Sequence, residues 1–146
     1  PGTVRVVGKT ADGKTIESAV ATSGSPAKIL MAREYGSGPS TDFGGDCAPA
    51  RSRTYSSEDI VFVDVKVADR DGNMVPTASD RLRFSVTGPG EIVAVDAGDA
   101  TCHTPFRSDE IKAFGGLASV IVRRTGPGTV ILRAESEGLE AGETEL

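Results

Sequence analysis

Tryptophan is absent from this chain, and it holds one histidine, two tyrosines and two cysteines. Each shortage closes off a class of function. Modules that bind sugars on their own stack aromatic faces against the sugar rings. Without Trp, and with both tyrosines in one irregular stretch, stacking platforms are scarce and only hydrogen-bonding contacts to sugar remain open. Any Ser–His or Cys–His mechanism would rest on His103, and no Gly-x-Ser-x-Gly elbow accompanies it. Cys102 and His103 are adjacent, but neighbours on an extended strand point opposite ways. Neither a Cys-x-x-Cys pair nor a Cys/His cluster occurs, which argues against structural zinc. No cofactor, metal or catalytic residue is expected.

Positive charge is also in short supply. The formal net charge is −5 and the basic residues form no block, so nucleic acid is not an expected partner. No apolar run approaches bilayer length, so no membrane span is expected. The chain opens at Pro1 almost directly in strand-like sequence and reads as a piece excised from something longer. At 146 residues it suits one domain with a fragment of a second.

What is present is alternation with a period of two. Val61, Val63, Val65 and Val67 share one face of Asp59–Ala68, with Asp64 and Lys66 opposite. Arg81–Thr87 sets Leu82, Phe84 and Val86 against Arg81, Arg83 and Ser85, and Thr129–Glu135 repeats the pattern. Such strands are buried on one side and wet on the other, as in antiparallel sandwiches. Further strands are predicted at Thr3–Gly8, Thr15–Thr22, Ala27–Arg33, Glu91–Val95 and Leu117–Arg124. The predicted core is Val63, Val65, Phe84, Val86, Val120, Val122, Val130 and Leu132. Turn chemistry separates the strands at Asp12-Gly13, at Asp71-Gly72-Asn73 and in two copies of Thr-Gly-Pro-Gly, 87–90 and 125–128. Asp69–Asn73 begins like a calcium loop but lacks the downstream bidentate Glu, so it reads as a hairpin turn. Asp109–Phe114 has room for a single helical turn at most.

Two regions break the rhythm. Ser23–Pro26 reads as a hinge, making residues 1–24 a terminal hairpin of a preceding β-sandwich domain and 25–146 a domain of their own. Glu34–Ser57 is a long Gly/Ser/Pro-rich insert holding Tyr35, Phe43, Cys47 and Tyr55. Spacing alone leaves Cys47 and Cys102 either as two free thiols or as a loop-to-loop disulfide. The densest polar cluster is Asp96, Asp99 and Thr101–Phe106. It reads first as a loop that satisfies its own backbone and second as a surface for sugar hydroxyls.

Three stretches together resemble a C-terminal domain of glycoside hydrolase family 2 enzymes of the β-galactosidase type, common in Bacteroides. They are Asp59–Pro76, Arg83–Thr101 with its Phe84-Ser-Val-Thr-Gly-Pro-Gly90, and Lys112-Ala-Phe-Gly-Gly-Leu-Ala118. Leu132–Leu139 is similar to the family's closing strand, and Gly24-Ser-Pro-Ala-Lys-Ile29 to its inter-domain junction. The resemblance implies an all-β, immunoglobulin-like sandwich with Greek-key connections and about seven strands, preceded by a short β-hairpin. It implies a non-catalytic accessory domain that braces a catalytic barrel or its oligomer and approaches the substrate cleft. The expected partners are the parent enzyme's other domains, with carbohydrate as a further candidate. A bacterial adhesion or spacer module and a carbohydrate-binding module are the competing readings.

Two departures from the family pattern stand out. The family has a short loop where this chain has the insert bearing Cys47, and Ser where it has Cys102. Read against the family, these departures imply a Cys47–Cys102 disulfide and hence a periplasmic or secreted location. The same bond would bring Tyr35 and Tyr55 to Asp96, Asp99, His103 and Phe106 as one contact surface for carbohydrate or a neighbouring domain.

Overall fold

The computed structural model describes residues 2–35 and 60–146. Strands β1 (Thr3–Lys9) and β2 (Thr15–Ala21) pair as an antiparallel hairpin. The following strands are β3 (Lys28–Tyr35), β4 (Ile60–Ala68), β5 (Arg81–Thr87), β6 (Gly90–Asp96), β7 (Glu110–Lys112), β8 (Leu117–Arg124), β9 (Ile131–Glu135) and β10 (Gly142–Glu145). They form two four-stranded antiparallel sheets, β3-β4-β8-β6 and β10-β9-β5-β7. The chain changes sheet at every connection from β4 to β9, which gives the immunoglobulin-like, Greek-key sandwich that the alternation and the resemblance imply.

Alternation decides which faces meet. Val61, Val63, Val65 and Val67 of β4 pack with Val120 and Val122 of β8, and opposite them lie Leu82, Phe84, Leu132 and Ala134. Seven of the eight predicted core residues are buried, and Val86 packs partly buried against them. The charged residues of the same strands pair on the outer faces: Arg81 and Arg83 with Glu110, Arg123 with Glu91, and Arg133 with Glu135 and Glu143.

Both long sides of the sandwich are laced by backbone hydrogen bonds. On one side the Ile29 N–H donates to the Glu140 carbonyl at 3.0 Å, and the Glu140 N–H donates to Ala27 at 2.9 Å. On the other, Val95 donates to Phe106 at 2.8 Å and Phe84 donates to Asp109 at 2.7 Å. The two Thr-Gly-Pro-Gly turns meet at one end, where the Thr125 N–H donates to Pro89 at 2.8 Å. Gly88 has φ +98°, and a Cβ there would collide with the Thr129 carbonyl oxygen, so only glycine fits.

Two strands differ from the sequence expectation. Asp109–Phe114 is no helical turn: it contains edge strand β7, paired with β5, and its single inward residue Ile111 is buried. Strand β10 was not expected at all, and it delivers Leu146 into the core. The sandwich therefore has eight strands where about seven were expected.

Candidate functional site

The connection between β6 and β7 carries most of the candidate contact residues, and its shape follows from short-range polar chemistry. Asp99 Oδ1 accepts from the Thr101 N–H at 2.8 Å and from the Thr101 hydroxyl at 2.7 Å. The Cys102 N–H donates to the Asp99 carbonyl at 3.0 Å. This is the self-satisfying loop that Asp and Thr commonly build. The Thr101 hydroxyl and backbone N–H, helped by the charge of Lys112, hold the Asp99 carboxyl below its ordinary range. Asp96 ends β6 with its side chain exposed, and His103 is exposed beyond it. Phe106 is 67% exposed although its carbonyl is fastened to β6. Just beyond lies a shallow depression lined by Ile92, Pro105, Arg107, Ser108 and Asp109.

The structure thus brings Asp96, Asp99, His103 and Phe106 onto one loop. It does not bring Tyr35 there. Tyr35 ends β3, and β3 and β6 are the two opposite edges of their sheet, about 14 Å apart at ordinary strand spacing. Tyr55 and Cys47 lie outside the described residues. The expected disulfide finds no support. Cys102 is a free thiol, and it packs half-buried against the core, where its sulfur substitutes for an apolar contact. The expectation of export rested on that bond and has no other basis among the described residues.

A second cluster, built on the Asp69–Asn73 turn, lies where the chain enters the sandwich. Asp69 is 4% exposed, a rare position for a carboxylate. Its Oδ1 accepts from the N–H groups of Asp71 at 3.0 Å and Asn73 at 2.9 Å, tying the hairpin turn. Its Oδ2 reaches back to accept from the Gly24 N–H at 2.8 Å, and the Asn73 amide donates to it at 3.2 Å. The Gly24 N–H is the leading reason that this carboxyl is held below the usual Asp range, ahead of the opposing effect of burial. Lys28 Nζ adds a hydrogen bond to the Arg70 carbonyl at 3.1 Å. The hinge expected at Ser23–Pro26 is therefore pinned to the sandwich. Both oxygens of Asp69 are engaged by N–H donors, so the Asp69–Asn73 segment works as a turn. No group of three or more His, Cys, Asp or Glu side chains that could hold a metal ion occurs among the described residues.

The sequence signal for this clamp is parity: Asp69 takes the next inward position after Val61, Val63, Val65 and Val67, where a carboxylate must find partners.

Comparison with known proteins adds the following. The family model described as glycoside hydrolase family 2 C-terminal domain 5 matches residues 49–145. Beta-galactosidase BoGH2A of Bacteroides ovatus is 34% identical over 141 residues, covering 95% of this chain and 15% of that protein. Among solved structures, a beta-glycosidase from Bacteroides vulgatus superposes with a TM-score of 0.77 at 19% identity, over 100% of this chain and 17% of its own. A beta-glucuronidase from glycoside hydrolase family 2 gives 0.69 at 21% identity, over 99% of this chain and 14% of its own. The chain spans less than a fifth of the length of these relatives.

Proposed function

We infer that this chain, which belongs to the glycoside hydrolase family 2 C-terminal domain 5 family, is a non-catalytic accessory β-sandwich of a β-galactosidase-like enzyme. The observation that carries this reading is the family match across residues 49–145, joined to a relative of which the chain covers only 15%. The described chemistry agrees with it. Among the described residues, Glu91, Glu110, Glu135 and Glu143 are paired with arginines, and the Asp69 and Asp99 carboxylates are engaged in turns. A glycosidase needs two carboxyl groups flanking a scissile bond, one of them free to exchange a proton.

The work assigned to the domain is to brace the rest of the enzyme, with the 96–106 loop offered to the rim of the substrate cleft or to a neighbouring domain. Exposed Asp96, His103 and Phe106, beside the Arg107 depression, are the groups suited to that contact. Removing residues 25–146 from the longer enzyme should lower its thermal midpoint. His103→Ala with Phe106→Ala in that enzyme should raise KM while leaving the midpoint in place. A midpoint untouched by the deletion would refute bracing, and an unchanged KM would refute the cleft contact.

A further inference from the structure

We propose that the linker end of the sandwich is an inter-domain joint, and that Met74, Phe114 and Leu117 are covered there by the unit to which the β1–β2 hairpin belongs. The proposal rests on the accessory-domain reading above.

Three observations converge on this end. Met74, Phe114 and Leu117 are 37%, 55% and 41% exposed, and they are neighbours. Phe114 and Leu117 form a bridge around the Gly115-Gly116 turn, and the Met74 side chain lies beside Gly116. Isolated exposed apolar residues are ordinary, but a contiguous group marks a contact surface. Exposed Arg70 and Asp71 lie on the turn that leads into Met74, polar residues of the kind that rim such surfaces.

The occupant is identified by the path of the chain. Strand β4 ends here in the Asp69 turn, and Ala68 bridges to Met74. The incoming linker is fixed to the same turn through Gly24 and Asp69 at 2.8 Å and through Ala27 and Ala68 at 2.8 Å. With Gly24 held, only Thr22 and Ser23 separate the hairpin from the anchor, a reach of about 7–10 Å. Whatever carries the hairpin must therefore lie over this end. The hairpin cannot stand alone: two strands are marginal in water, and its Val4, Val6, Ile16 and Val20 share one wholly exposed face. It is built to complete a larger sheet, and that body is brought onto the Met74–Phe114–Leu117 patch by its own linker.

Hydroxyl-radical footprinting would compare the longer enzyme with the 146-residue chain alone, with amide exchange of the hairpin read in both. Met74 and Phe114 should oxidise several-fold more slowly in the longer enzyme, and the hairpin amides should gain protection there. If the hairpin gains protection while Met74 and Phe114 oxidise at equal rates in both, the joint is refuted and the accessory reading stands. If the hairpin gains none either, the reading that it belongs to a neighbouring domain falls as well. Phe114→Ser with Leu117→Ser should leave the midpoint of the chain alone unchanged and speed proteolysis of the linker in the longer enzyme. Equal cleavage of variant and parent would also overturn the joint.

Discussion

Asp69 joins two segments 45 positions apart through one carboxylate, and its ionisation is linked to folding by the hydrogen bonds it accepts. Its folded pKa is depressed, so the contribution is fully present above the ordinary value of 3.8 and is lost as pH falls through the lowered value. The linker should accordingly become more susceptible to acid-stable protease below about pH 3.8. Asp69→Asn should be more susceptible at neutral pH already and should show a flatter pH dependence. Identical profiles for the two proteins would show that the clamp does not hold the linker. Gly116 is the other residue on which this end depends. At φ +77°, a Cβ there would meet the Val75 carbonyl, so Gly116→Ala should cost about 1–3 kcal/mol, read by urea unfolding. Gly115, at φ +61°, occupies the left-handed region that glycine adopts without strain. In the core, Phe84→Ala should cost about 3–5 kcal/mol. A loss below about 1 kcal/mol would mean that Phe84 does not fill the space between the sheets.

At the scale of elements, legibility followed the number of alternating apolar positions. Strands β4, β5 and β8 each repeat a buried side chain at every second residue, and these the pattern located. Strand β7 is three residues long with one buried side chain, too short to show a period. Strand β10, Gly-Glu-Thr-Glu, has no apolar residue. It is held by pairing with β9 and by the close approach of Gly142 to the Ile29 backbone, neither of which a local pattern reveals. The self-bonded loop after β6 was legible because Asp99 and Thr101 act over two residues; the Asp69–Gly24 clamp was not, because it spans forty-five. Leu146→Ala should cost about 2–5 kcal/mol if β10 is a true part of the core. Deleting residues 1–22 should change sandwich stability by less than about 0.5 kcal/mol, since every residue of β1 and β2 is exposed. A larger loss would join the hairpin to this domain instead of a preceding one.

Across the whole molecule, the arginine–glutamate pairs sit outside the core, on the outer faces of both sheets. The two long sides are laced by backbone hydrogen bonds, and the linker is pinned at one end. Exposed pairs of this kind contribute little stability individually, typically about 0–1 kcal/mol. The packed core must therefore supply most of it. On the accessory-domain proposal, the chemistry of the enzyme belongs elsewhere in the polypeptide. The most direct test is hydrolysis of chromogenic β-galactosides by the purified 146-residue chain. The expected result is no turnover above the uncatalysed rate; turnover that survives purification and is abolished by a single substitution in this chain would contradict the account.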